Sequence, residues 1–277
     1  VLDQLDANTE SYSNLTAIKH QEIDLKNTFK AKGYLHYKSI EVDHFSKLLL
    51  AKEFEKLEKD PFAPTHTQRF RRYGNALILP WEKDLKPIWL PTVRDNIGQE
   101  LSGYDQGGNN PEHQSIRYFN ALSQEAKSTQ YLNDLIVDDY QLTFGLENAY
   151  LPIYVGVHFV KLRSTHADQL GISSPNCFHQ DGEPFTFAHL FYRSNNIEGG
   201  ENFIASPQER NKRLDEVNNY NIYQKFTLRQ ASESFAVHDP AVSHYVSPIR
   251  KIDQGTNAEA GERWMILIDF SLTKQKI

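Results

Sequence analysis

Apolar positions recur at two different periods along this chain, and the change falls near residue 150. From Asp43 onward, Phe45, Leu48, Leu49, Phe54 and Leu57 recur at helical spacing. That spacing predicts a helix capped by Asp43 and running to about Lys59, with Pro61 and Pro64 ending it. A second stripe, Tyr131, Leu132, Leu135, Ile136 and Tyr140, predicts another helix with one face on a core. Between them, 76–79 and 115–119 read as strands. Residues 81–112 read as loop, closing in the Gly- and Asn-rich turn at 106–111. The first 33 residues are polar and read as a peripheral arm or a short helix.

Beyond Pro152 the segments become short, β-branched and aromatic, with Gly and Pro between them. Strands are predicted at 153–162, 184–193, 203–205, 223–228, 234–238 and 264–270, with a helical period surviving only around 207–218. Glu198-Gly199-Gly200-Glu201-Asn202 reads as a hairpin turn. Many short punctuated strands indicate a sandwich or barrel. The expected architecture is α+β, a single domain over 1–277. In it a mixed, largely helical part over 1–150 packs on a β barrel over 151–277.

Composition changes this picture by exclusion. The 277 residues carry 36 acidic and 30 basic side chains, net −6, so no basic stripe points to nucleic acid. No apolar run approaches the ~18 residues of a membrane span. One cysteine, Cys177, excludes an intrachain disulfide and suits a reducing compartment, so a cytoplasmic location is expected.

The candidate chemistry lies in Phe178-His179-Gln180-Asp181-Gly182. In an extended segment residues two apart share a face, so His179 and Asp181 converge. A third ligand would complete the 2-His-1-carboxylate set that holds non-haem Fe(II) with open positions. Alone, His-x-Asp is a weak signal, because chance surface pairs are common. Two histidines follow at suitable distance: His238, at a strand end before Pro240, and His244, in an apolar segment closing on Pro248. Either also fits a structural role.

A 2-oxo acid chelated by such a metal leaves a distal carboxylate that needs a planar cation. Arg263, opening the last strand, suits that task, and Arg250 is the alternative. Arg69, Arg71 and Arg72 form a cluster that reads either as a solvated basic face or as an anion-facing group. Phe185, Phe187, His189 and Phe191 share parity with His179 and Asp181, which would turn some of them into the barrel.

These motifs in order resemble the 2OG-Fe dioxygenase family, specifically free-amino-acid hydroxylases of the L-isoleucine 4-hydroxylase type. The resemblance spans about residues 69–270. It rests on Arg71-Arg72-Tyr73, on Asn110-Pro111 before Arg117-Tyr118-Phe119, and on the His179 motif. It continues through Ile197 to Glu201, His244 to Ile249, and Arg263 to Leu267. It implies a double-stranded β-helix, or jelly roll, with His179, Asp181 and His244 as Fe(II) ligands and Arg263 on 2-oxoglutarate. The polar loop from Lys251 to Glu262 is longer than the family pattern, which keeps Arg250 in play, and Trp264 stands where the family often has Asp.

The implied activity is hydroxylation of a free L-amino acid or similar small polar metabolite, with O2 and 2-oxoglutarate as co-substrates. Retention of Asp181 leaves no vacant position for a halide, which argues against a halogenase. Oxidative cyclisation or desaturation by the same chemistry is the nearest alternative. A non-catalytic metal-bearing barrel that binds a small anion, and a zinc hydrolase, come from other classes. Arg117, Arg163 and Arg72 are candidates for a substrate carboxylate, Glu183 and Asp239 for an ammonium, and His189 for orienting either small molecule.

Overall fold

Alternate residues of a strand face opposite sides of a sheet, and here each side has its own occupant. The computed structural model describes residues 23–105, 115–147, 150–173, 175–252 and 259–272. The expected arm over 1–22, the turn at 106–111 and much of the long loop before Arg263 lie outside these residues.

A helix over 23–32 (α1) leads to β1 (Tyr34–Lys38) and α2 (His44–Glu55). There follow β2 (Gln68–Ile78), β3 (Ile88–Trp89), β4 (Val93–Arg94), β5 (Glu100–Tyr104) and β6 (Arg117–Asn120), then α3 (Gln124–Lys127) and α4 (Gln130–Leu142). The remaining strands are β7 (Ile153–Ser164), β8 (Leu170–Gly171), β9 (Phe185–Arg193), β10 (Ile197–Gly199) and β11 (Glu201–Ala205). They end with β12 (Ile222–Thr227), β13 (Glu233–His238), β14 (Ser243–Val246), β15 (Ile249–Lys251) and β16 (Gly261–Ser271).

Seven of these form one sheet in the order β1-β13-β9-β16-β7-β2-β3. Facing it are two three-stranded sheets, β12-β11-β14 and β10-β15-β8, while β4-β5-β6 covers one end. Non-consecutive neighbours paired antiparallel across two facing sheets make a jelly roll, the double-stranded β-helix. Strands β1, β2 and β3, from the first 150 residues, extend its large sheet.

On β16, Trp264, Ile266, Ile268 and Phe270 face outward, and the last three are buried under α2 and α4. Leu50 and Phe54 of α2 and Leu132, Leu135 and Ile136 of α4 fill the same layer. The alternate residues of β16, Arg263, Met265, Leu267 and Asp269, face the barrel interior and line a cavity.

Asp43 caps α2 by accepting the Ser46 N–H at 2.9 Å. Its buried face is Ser46, Leu50, Glu53 and Phe54. Phe45 and Leu48 of the expected stripe are exposed, because the sheet is met one step round the helix, where Glu53 can take Arg72. Around 207–218 two single 3-10 turns replace the expected helical period.

Gly199-Gly200 is not a hairpin turn. Both residues have positive φ and carry the chain from β10, paired with β15, into β11, paired with β12 and β14. A Cβ on Gly199 would meet the Pro248 carbonyl oxygen at 2.0 Å, so the step between the two small sheets requires glycine.

Candidate active site

His179 enters the site at an isolated bridge to His244. Each backbone N–H donates to the other's carbonyl at 2.9 Å. That pairing brings both imidazoles to one point, with Nε2 atoms 2.8 Å apart. Asp181 supplies the third corner, its oxygens 3.6 Å from His179 Nε2 and 3.4 Å from His244 Nε2. One donor atom from each of the three lies within 4.8 Å of the others.

Protonation favours metal ligation. His179 Nδ1–H donates to the Cys177 carbonyl at 2.9 Å, leaving the Nε2 lone pair on the shared point. Burial, aided by the neighbouring His179, pushes His244 down to about 3, so its imidazole is neutral, as a ligand must be. Two ring nitrogens aimed at one point beside a carboxylate fit a divalent cation with imidazole and carboxylate preference, such as Fe(II).

The turn that aims Asp181 is held from behind. Asp239 accepts the Asp181 N–H at 2.9 Å with one oxygen and the Gly182 N–H at 2.8 Å with the other. Gln180 donates to the Asp239 and Val242 carbonyls. Burial, with the Asp181 charge next, pushes the Asp239 carboxyl up to about 7. Asp239→Ala is therefore expected to weaken Fe(II) affinity by about 10–100-fold while the fold survives, as for other residues that orient a ligand. Anaerobic Fe(II) titration checks it, and unchanged affinity would reduce Asp239 to a turn-former.

The three donors open on a cavity of about 950 Å³, counting its open mouth. Arg263, Arg71, Arg117, Arg69, His158 and Asp269 stand on its walls. Arg263 is 3% exposed, and no carboxylate among the described residues lies within ion-pair distance of it. Burial, then the nearby Arg193 charge, lowers it to about 9. Arg69 is ion-paired through Nε with Asp60 at 2.7 Å.

Other candidates are elsewhere. Arg250 lies on the surface paired with Glu198, and Arg163 points outward beside Glu262. Arg72 faces α2, where Glu53 and, just past the helix end, Glu58 take its guanidinium. None of the Arg69, Arg71, Arg72 cluster forms a solvated face, since alternation along β2 buries 69 and 71 inward and 72 against the helix. His238 stacks on Phe185 and meets Phe144 edge-on, outside the cavity.

His189 is turned away as well. The expected parity is reset by Gly182, at φ +96°, and the residues up to Phe185. Thr186 and Ala188 therefore line the cavity, while Phe185, Phe187 and Phe191 enter the helix-covered core. His189 bonds Asp139 of α4 and Ser234 there. Glu183 is buried beside Asp181, and burial with the Asp269 and Asp181 charges holds its carboxyl well above the usual range.

The sequence alone did not turn Arg71 inward, gave His158 no role beyond its place among the barrel-half histidines, and did not single out Tyr104 or Asp269. Period-2 alternation through Arg69, Arg71 and Tyr73 carries the first signal. The others have none, because their partners are distant in sequence.

A jelly roll with this His-Asp-His cluster beside a buried, unpaired arginine defines a non-haem iron oxygenase of the 2-oxoglutarate type. The chain belongs to the 2OG-Fe dioxygenase family, whose model matches residues 51–268, and it uses Fe(II), 2-oxoglutarate and O2. It is similar to the L-isoleucine-4-hydroxylase of Bacillus thuringiensis, 25% identical over 90% of this chain and 94% of that protein. It is also 25% identical to the 3(1)-hydroxy-L-isoleucine 4-dioxygenase of Pantoea ananatis, over 82% of this chain and 81% of the relative. Among solved structures, that of IDO from Bacillus thuringiensis covers 90% of this chain and 97% of its own, with TM-score 0.62 and 19% identity. Among the described residues no helix is long and apolar enough to cross a membrane.

Proposed function

We propose that this dioxygenase hydroxylates a free aliphatic L-amino acid, with His179, Asp181 and His244 holding Fe(II) and Arg263 holding the distal carboxylate of 2-oxoglutarate. The observation that carries the reading is one cavity with three converging donors on one wall and a buried, unpaired guanidinium on another. The relatives' names supply the amino-acid class.

Fe(II), when bound, couples oxidative decarboxylation of 2-oxoglutarate to succinate and CO2 with insertion of one O2 oxygen into a substrate C–H bond. The chain's own contribution is placement. His179 and His244 present their Nε2 atoms to one point, Asp181 supplies the carboxylate, and the Asp239 bonds keep that carboxylate aimed. Arg263 offers a planar fork inside an apolar wall of Leu162, Met265 and Leu267, where a carboxylate gains most from pairing. The same apolar residues exclude water from the co-substrate's methylene chain.

Succinate formation on incubation with Fe(II), 2-oxoglutarate, O2 and a panel of L-amino acids tests the reading. Stimulation by an aliphatic amino acid, with a product heavier by one oxygen, is expected. A product lighter by two hydrogens would instead indicate desaturation or ring closure. Arg263→Ala is expected to raise the KM for 2-oxoglutarate about 100-fold or more, as loss of a buried charge-pair partner does, with Fe(II) affinity retained. Arg250→Ala in parallel changes neither. An unchanged KM in Arg263→Ala would take the co-substrate role away from that residue.

A further inference from the structure

The cavity contains a second buried cation that the co-substrate does not account for. Arg71 of β2 is 9% exposed, lines the cavity, and has no carboxylate among the described residues within ion-pair distance. Its Nε is buried with no hydrogen-bond partner. Its guanidinium lies over the Phe119 ring at 4.6 Å and the Tyr104 ring at 5.5 Å, so two aromatic faces hold the plane of the fork.

One edge of that fork is fixed from β7 and β16. Arg71 Nη2 donates to His158 Nδ1, and His158 Nε2–H donates to Asp269 Oδ2 at 2.8 Å. All three residues are buried. The imidazole is neutral, since burial and then the charges of Arg71 and Arg117 hold it well below its ordinary value. His158 therefore orients Arg71 without cancelling its charge. Leaving a guanidinium desolvated with no carboxylate directly against it is costly, and Arg117 beside it adds a second positive charge to the same wall.

This cation is distinct from the one assigned to 2-oxoglutarate. Arg263 lies across β7 from Arg69, and Arg71 lies across β7 from Met265. Two inter-strand steps of ~4.8 Å, with a two-residue offset, put the two arginine positions about 10 Å or more apart. A dicarboxylate chelated through its other end reaches one of them. Asp269 feels the charge of both Asp181 and Arg71, so Arg71 belongs to the same chamber as the ligand cluster.

We propose that Arg71 receives the carboxylate of the amino-acid substrate as a bidentate pair, its guanidinium oriented by the His158–Asp269 relay and the Phe119 and Tyr104 rings. This rests on the amino-acid reading above and names the group that enforces it. The enzyme then requires a free carboxylate on its substrate, and the target C–H is selected by its distance from that anchored end.

The test compares L-isoleucine with L-isoleucinamide, which lacks the carboxylate, in the wild type, Arg71→Leu and Arg71→Lys. Succinate reports turnover, and anaerobic titration of the visible Fe(II)–2-oxoglutarate absorbance reports co-substrate affinity independently. The wild type is expected to use the acid and not the amide. Arg71→Leu is expected to raise the L-isoleucine KM about 100-fold or more with 2-oxoglutarate affinity retained, and Arg71→Lys to restore it in part, since charge returns without the fork. Equal use of acid and amide by the wild type overturns the proposal, and so does an unchanged KM in Arg71→Leu. Collapse of 2-oxoglutarate affinity in folded Arg71→Leu also overturns it, giving Arg71 to the co-substrate. If Arg71→Leu does not fold, the wild-type acid-against-amide comparison decides. No succinate with any amino acid, but succinate with a substrate lacking the carboxylate, defeats the amino-acid reading and this proposal together.

Discussion

Asp181→Ala is expected to lower Fe(II) affinity by more than about 100-fold, beyond what loss of an orienting residue costs, and to bring amino-acid-coupled succinate to background. Asp181 supplies the negative charge of the cluster, while His244 is held neutral by burial. Without it two imidazole nitrogens 2.8 Å apart face the cation alone. The fold should survive, because Asp239 and Gln180 hold this turn through backbone groups that alanine keeps. Asp181→Glu should not rescue, since its carboxylate lies one methylene further along. Anaerobic Fe(II) titration with a thermal melt of the same sample separates lost ligation from lost fold. Wild-type Fe(II) affinity in Asp181→Ala would remove this cluster from consideration as the metal centre.

His189→Ala should have the largest effect on stability and little on catalysis. His189 and Asp139 are both 1% exposed and joined at 2.8 Å. Tyr37 donates to the other Asp139 oxygen at 3.1 Å, and Ser234 meets the second His189 nitrogen at 2.9 Å. This network ties β1, α4, β9 and β13 together under the helix layer. Burial already holds the Asp139 carboxyl above its ordinary value, with His189 opposing that shift. Removing the imidazole strands a buried carboxyl, which typically costs about 3–5 kcal/mol and lowers Tm by about 10 °C. Replacing both members by apolar residues, as in His189→Phe with Asp139→Leu, should recover much of the loss. Calorimetry reads the Tm. A raised amino-acid KM with an unchanged Tm would return His189 to the substrate site.

The convergence of His179 and Asp181 was legible because its geometry is local, whereas the choice of His244 over His238 came from the family resemblance. His179 and Asp181 are two apart, and His244 lies in a short apolar strand that only one bridge has to bring home. The place of Arg263 at the head of an apolar strand made it a candidate for the cavity, and alternation along β16 puts it on the cavity wall. The strand-rich half was legible from its turns and β-branched runs. The face of α2 was not, because several faces of that helix carry apolar residues and the sheet chooses among them. Nor was the orientation of His189, since Gly182 with positive φ resets the alternation that a straight strand would keep.

By itself the sequence determined the strand-rich character of the second half and, through an ordered series of motifs, the resemblance to the 2OG-Fe dioxygenase family that the family match bears out. Local spacing could bring His179 and Asp181 together, because residues two apart in an extended segment share a face. Only the tertiary structure decided that Arg71, His158 and Asp269 form one relay, and that Arg250, Arg163, Arg72 and His189 stand outside the cavity. The reason is physical: those relay partners are 87 and 111 residues apart. They meet through the register of β2, β7 and β16, which is set by burying the helix-covered face of the whole sheet at once.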